Sequence, residues 1–426
     1  RISLAVSLGD PEQAIAAYEE AELRDPDSPD TQVLLAHLHL AAGDTTTAER
    51  ILNQTLDRDP DNDEALVSLA LIAGHGGDIE REKTLLERAV EIDPENAVAH
   101  AALGEVYLTE KRYEQAARSF VSGLENDPNN IAALIGLGNV RLRTEKPEEA
   151  EELLTRAIEI VPEYGFAYAD RSRAAAMQYE LSDAEEDLTK AIELDEEYPW
   201  HRYDRGLVRL ERNDWSGAID DFSAFISAES DVFLAYVHRA KAYNGAGRKD
   251  DAIADMETAF EMRPDYYPGY RFTAILLFET ERYARAAEYF RKTWDGGHPN
   301  DPNDPGIALL CALSWKLSGE EEAAVEFLED AASDIPQDSI YYEIVRYYAR
   351  SVQGRRGLDG RITRALEDEK RPDIQLRATF YVAGQYEADG RLRSATALYR
   401  EVTETDLRGI PEINLARARL ERITRP

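Results

Sequence analysis

A period of 34 residues runs through most of this chain. Pro26, Pro60, Pro94, Pro128 and Pro162 stand 34 residues apart, and the same phase passes through Glu196 and Ser230 to Pro264. Other positions keep step. A large residue recurs at Leu35, Leu69, Leu103 and Leu137, and a small one follows at Ala36, Ala70, Gly104, Gly138, Ser172, Gly206, Ala240 and Ala274. Further along each period a second small residue recurs at Ala48, Ala116, Ala150, Ala184, Ala218, Ala252 and Ala286, with Glu82 as the exception in the third repeat. Four residues later comes a bulky one: Leu52, Phe120, Leu154, Leu188, Phe222, Met256 or Phe290. Apolar residues three and four apart predict amphipathic helices. Small residues let the two helices of a hairpin approach closely. Gly43, Gly77 and Gly247 fall between them, where a positive φ is needed. A proline after the second helix ends it. One hairpin cannot bury its own faces, so neighbours must stack.

These residues resemble the tetratricopeptide repeat over about residues 1–296. The resemblance implies an all-α, right-handed superhelical solenoid that binds proteins or peptides. The expected organisation is a truncated first repeat over residues 1–28, a regular array over 29–298, and irregular repeats over 299–424. In that last part a repeat fits 305–336, a helix 337–350, a basic turn Gly354–Gly360, a short helix from about Asp359, a repeat from about Leu376 to Asp406, and a capping helix from Pro411 to about Thr424. The segment Pro302–Pro305, the irregular 337–370 hairpin, Phe380–Tyr386, Gly390 and Ser394–Tyr399 resemble the NlpI family of bacterial outer-membrane lipoproteins. That similarity covers roughly residues 233–424. It implies a non-catalytic adaptor in the periplasm that docks a protease and cell-wall hydrolases, anchored by a lipid on an N-terminus removed before Arg1. A cytoplasmic location is the alternative.

Composition narrows the partners. The net charge is −35, which argues against nucleic acid or an anionic membrane, because both need a basic face. No stretch approaches the roughly 18 apolar residues of a membrane span. The single cysteine, Cys311, excludes an internal disulfide and lies beside Leu310 and Leu313, as a core thiol would.

No phosphate-loop, zinc-protease or serine-hydrolase motif is present, so no catalytic residue and no cofactor are expected. His37, His39 and His75 lack an evident third partner for a metal. The turn Asp57–Asp63 lacks the glycine and closing glutamate of a calcium loop, and reads as helix caps. Arg171, Arg205 and Arg239 replace the usual leucine at one register, and Asp187, Asp221 and Asp255 recur on the paired helix. The common spacing predicts structural ion pairs within the array; an anion-binding stripe is the alternative.

In this repeat family, positions 2, 5, 9 and 12 of the first helix line the inner groove. Here they supply Ile135, Asn139, Phe166, Arg173, Trp200, Tyr203, Leu207 and Lys241, an aromatic and apolar centre with basic residues beside it. The expected function is a protein-binding scaffold without enzymatic activity. Self-association, with a homodimer as one form, is the runner-up, and a recognition arm for a separate enzyme is the third reading.

Overall fold

The computed structural model describes residues 28–296, 304–350 and 358–424, with Ile15 and Tyr18 in helical conformation before them. The expected helix end at Arg1–Gly9, the insertion after His298 and most of the turn at 354–360 lie outside the described residues. Among the described residues the regular structure is all helical, with no strand. The regular hairpins are α1 Pro29–Ala41 with α2 Thr45–Arg58, α3 Asp63–His75 with α4 Ile79–Ile92, α5 Ala97–Thr109 with α6 Tyr113–Asn126, α7 Ile131–Arg143 with α8 Pro147–Ile160, and α9 Gly165–Met177 with α10 Leu181–Leu194. They continue with α11 Trp200–Glu211, α12 Trp215–Ala228, α13 Phe233–Gly245, α14 Lys249–Met262, α15 Tyr267–Glu279 and α16 Tyr283–Gly296. The irregular part comprises α17 Pro305–Ser318, α18 Glu321–Ala331, α19 Ile340–Tyr348, α20 Asp359–Asp368, α21 Pro372–Ala388, α22 Leu392–Thr403 and α23 Pro411–Thr424. The chain forms two compact units, Arg1–Arg212 and Asn213–Pro426.

The periodic small residues explain the hairpins. Ala36, Ala70, Ala240 and Ala274 are fully buried, and so are Ala48, Ala116, Ala150, Ala184, Ala218, Ala252 and Ala286. The bulky residues Leu52, Phe120, Leu154, Leu188, Phe222, Met256 and Phe290 fill the space between the paired helices. A Cβ on Gly104 would lie 2.6 Å from the Phe120 ring, so the ring occupies the room that glycine leaves. The third repeat breaks the pattern and compensates for it. Glu82 stands at the small position, and Gly74 opposite it has no side chain; a Cβ there would meet the Glu82 carboxylate at 2.6 Å. Burial pushes the Glu82 carboxyl up from its ordinary value.

Each hairpin turn places one residue in the left-handed region. Gly43, Gly77 and Gly247 take φ of 79°, 79° and 77°, and the same register elsewhere is occupied by Lys111, Glu145, Tyr179, Asn213 and Glu281 with φ of 58–64°. Between repeats, Asn62, Asn96 and Asn130 cap the next first helix by accepting from the backbone amides of Ala65, Ala99 and Ala133. Asn62 also donates to Asp59, and Asp63 accepts from Asn96 of the next repeat, so the acidic turn caps a helix and ties two repeats. A second lock recurs six residues apart. Tyr168, Tyr236 and Tyr270 donate from their hydroxyls to the carbonyls of Pro162, Ser230 and Pro264, and Arg202 does the same to Glu196.

Candidate functional site

In the first unit the first helices α1, α3, α5, α7 and α9 touch one another in series, which makes them the wall of one continuous face. That face exposes large apolar side chains: Leu34 (44%) at a sixth position, Leu71 (41%) at a ninth, and Val98 (54%) and Phe166 (39%) at the second, where Trp200 (37%) follows on α11. Ile135 and Leu207 are half-buried between them. The aromatic end is packed ring on ring. Phe166 lies 4.9 Å from Tyr198 and 5.2 Å from the His201 ring, and Tyr164 lies 5.8 Å from Phe166. His201 occupies a register where other repeats carry Ala99, Ala133, Ala167 and Ala235. It is buried, its Nε2 is 3.6 Å from Asp195, and burial pulls its pKa down.

Two sequence expectations need correction here. Tyr203 is not an open groove residue: it is only 8% exposed, with Trp200 packed at 5.4 Å. Ala101, Ala169 and Val237 at the same fifth position are buried too, because that position turns toward the neighbouring first helix. The second correction concerns charge. Asn139 donates to Asp170 at 2.9 Å, and Arg173 donates to Asp170 at 2.9 Å and lies 3.6 Å from Asp204. The basic residue is thus engaged by carboxylates of the groove itself. Lys241 is exposed on α13, in the second unit.

In the first unit's groove three carboxylates, Glu105, Asp170 and Asp204, stand against two arginines, Arg173 and Arg143. Burial is the main cause that pushes the carboxyl groups of Glu105, Asp170 and Asp204 above their ordinary values. Asp170 adds to the effect on Glu105, and the Tyr164 phenol, raised chiefly by burial, is pushed further by Asp170, Asp195 and Glu105. Glu105 has no ion-pair partner among the described residues. Asp170 and Asp204 occupy the sixth position of α9 and α11, a register the groove rule of positions 2, 5, 9 and 12 leaves out.

The arginine ladder is structural in geometry. Arg171 grips Asp187 with two parallel bonds of 2.8 and 2.7 Å, and Arg239 grips Asp255 at 2.7 and 2.8 Å. Both aspartates are buried. Each arginine makes a further bond that sequence reading missed. Arg171, Arg205 and Arg239 donate to the hydroxyls of Thr155, Thr189 and Ser223 on the second helix of the preceding hairpin, at 3.2, 3.1 and 3.1 Å. Those hydroxyls also recur every 34 residues, which is the signal that was available. Asp221 is buried on α12, in the other unit from Arg205.

In the second unit the groove registers meet the chain's own C-terminal part. Arg271 at the fifth position of α15 lies 3.7 Å from Asp304, which also pairs with Arg377 at 3.1 Å. Arg377 donates to Glu412 at 2.8 Å, and the Tyr381 hydroxyl donates to the same oxygen at 2.6 Å. Arg419 of α23 is buried, pairs with Glu387 and reaches the Tyr283 hydroxyl, while Arg422 pairs with Glu281 at 2.5 Å. A cleft of about 480 Å³ between α23 and α15 is lined by Ile275, Phe272, Asn414 and Arg417 among others.

His37 bonds with the Ser68 hydroxyl at 2.7 Å, and His39 lies 3.4 Å from Asp44. Cys311 is buried, its thiol donates to the Ala287 carbonyl, and burial raises its pKa well above the ordinary thiol value. No helix among the described residues is long and apolar enough to cross a membrane.

Stacked helical hairpins of one length, with first helices lining a common face, define an α-solenoid repeat protein. Three family models, each described as tetratricopeptide repeat, match residues 5–72 and 107–170, residues 203–255 and 238–305, and residues 63–96, together more than half of the chain. The chain belongs to the tetratricopeptide-repeat family. A comparison with curated proteins gave no match. Among solved structures, the chain is similar to MamA, with 28% identity over 38% of this chain and 95% of that one and a TM-score of 0.36. It is also similar to pilF of Pseudomonas aeruginosa, with 22% identity over 49% and 94% and a TM-score of 0.44. The Cut9–Hcn1 complex of the APC/C aligns at 17% identity over 76% of this chain and 59% of that chain, with a TM-score of 0.45.

Proposed function

We propose that the chain is a protein-interaction scaffold whose partner lies along the concave face of the first unit. One observation carries this reading: Val98, Phe166 and Trp200 expose apolar surface at the second position of their first helices, and Leu34 and Leu71 do so at the sixth and ninth positions of earlier ones. Water-exposed apolar side chains arranged in a row, rimmed by polar groups, are the signature of a surface that another protein covers. Ile135, Asn139, Phe166, Arg173, Trp200 and Leu207 form the groove, with Tyr203 beneath as support. Lys241 belongs to the continuation of the register in the second unit. The regular array to residue 298 supplies this surface, and the irregular part over 299–424 closes the stack.

The likeness of residues 233–424 to the NlpI family gives the proposal its finer form, an adaptor in the bacterial envelope that brings a protease or a cell-wall hydrolase to its site of action. The test is a crosslinking capture from envelope and cytosol fractions of the native cell, with the wild-type chain and a Phe166→Ala/Trp200→Ala variant of unchanged helicity. Recovery of a periplasmic protease or hydrolase by the wild type alone supports both parts. Equal recovery by the variant removes the groove, cytosolic partners remove the envelope, and recovery of the bait alone points to self-association.

A further inference from the structure

We infer that the groove of the first unit takes a cationic amphipathic helix, with its apolar side on Phe166, Trp200 and Ile135 and its arginines or lysines on Glu105, Asp170 and Asp204. This rests on the groove reading above and adds the chemical class of the partner.

Two independent observations carry it. The first is charge. Three groove carboxylates stand on α5, α9 and α11. The cations that face them from the neighbouring helices are Arg173, which contacts Asp170 and Asp204, and Arg143, which acts on Asp170 through its charge. Asn139 gives Asp170 a neutral donor. No cation pairs with Glu105 among the described residues, and its Oε1 lies over Gly136, where a Cβ would come within 2.7 Å. An anionic segment laid here would be repelled at three points, while a cationic one would complete the pairing.

The second observation is a worked example within the same chain. In the second unit a groove register is already covered by a helix. The α23 segment packs on α22 and α21, and directs Arg419 and Arg422 across the end of α15 at Glu387, Glu281 and the Tyr283 hydroxyl. The Arg419 guanidinium lies 6.0 Å from the ring of Phe278, at the twelfth position of α15. Arginine on an aromatic ring and on carboxylates is therefore how the end of α15 meets a later helix. The first unit offers an exposed ring at Phe166 and carboxylates that Arg173 and Arg143 neutralise only in part.

The test uses the full chain and two end-capped, dye-labelled peptides read by fluorescence anisotropy. The cationic probe has the sequence of residues 411–424 with Glu412→Gln and Glu421→Gln; the acidic probe also carries Arg417→Glu, Arg419→Glu and Arg422→Glu. The cationic probe is expected to bind saturably and more weakly as salt rises. The near-isosteric Asp170→Asn/Asp204→Asn variant is expected to lose about tenfold in affinity, and Glu105→Gln a smaller factor. Binding of the acidic probe as tight as the cationic one, affinity unchanged in the Asn variant, or no saturation by the cationic probe up to millimolar overturns the inference. Phe166→Ala/Trp200→Ala separates the two levels. If it abolishes partner capture while binding is indifferent to charge, the groove stands and the cationic partner falls. If it leaves capture intact, the groove itself falls.

Discussion

The two units share one repeat, but α15 of the second treats its inner registers differently from the first helices of the first. In the first unit Leu34, Leu71, Val98 and Phe166 are exposed, and the carboxylates beside them are only partly neutralised. In the second, Arg271 and Phe278 are engaged by residues that follow in the chain, through Asp304 and Arg419. The local sequence rules of the hairpins are the same in both. What differs is the presence of a later segment with matching chemistry. A solenoid groove is thus a surface that must be satisfied, and at α15 the chain satisfies it itself.

The largest expected effect comes from opening the filled half. Arg419→Ala leaves Glu387 buried without its cation, which should cost about 3–5 kcal/mol. Urea unfolding followed by proteolytic mapping should show the loss confined to the second unit; an unchanged midpoint would falsify the buried-pair account. Next is the ladder. Arg239→Leu restores the residue type usual for the register but strands buried Asp255, so about 3 kcal/mol should be lost. Arg239→Leu/Asp255→Ala should recover most of that loss, and a double-mutant cycle reads the difference.

Protonation sharpens the contrast further. His238 on α13, stacked at 5.8 Å on Phe222, is pulled down to about 4 by burial and then by Lys241. The unfolded chain binds that proton near pH 6.5 and the folded chain only near 4, so stability falls as pH drops through this window. His238→Gln should flatten the fall, measured as unfolding midpoint against pH. In the open groove the sign is that of ligand binding. Glu105, Asp170 and Asp204 have raised pKa values, so they take up protons before ordinary surface carboxylates as the solution is acidified. Affinity for a cationic helix should decline at mildly acidic pH, and binding isotherms across that range should show it.

The smallest effect is a gain. Tyr179 is exposed with φ of 62°, in a register where other repeats carry glycine. Tyr179→Gly should relieve about 1 kcal/mol of left-handed strain, less the extra flexibility of the unfolded chain, and raise the thermal midpoint slightly.

Much of this was written in the period. Helix α23 begins at Pro411 and ends at Thr424 as its sequence pattern predicts, and α17 starts at Pro305. Arg171 with Asp187 was legible because both recur in phase. Thr155 and Ser223 were not, because a hydroxyl within a helix has many ordinary uses and the periodic coincidence lay on the preceding hairpin. The partners of Arg173 and Asn139 were not legible, because Asp170 and Asp204 sit one position beyond the fifth. The docking of α23 was illegible for a different reason. Arg419 and Tyr283 stand on either side of the phase shift after His298, so no common register links them.

The hydroxyl arm of the ladder has one more consequence. Arg171 holds α10 of its own hairpin and α8 of the one before, and Arg239 repeats the arrangement between α14 and α12. A hairpin that swings away therefore breaks polar bonds belonging to its neighbour, and adds to the interfacial energy that couples adjacent repeats. The length over which the stack melts as one body should grow where the ladder runs. Amide exchange in α8 to α10 should then be lost together, while the earlier hairpins, which lack these arginines, fray one at a time.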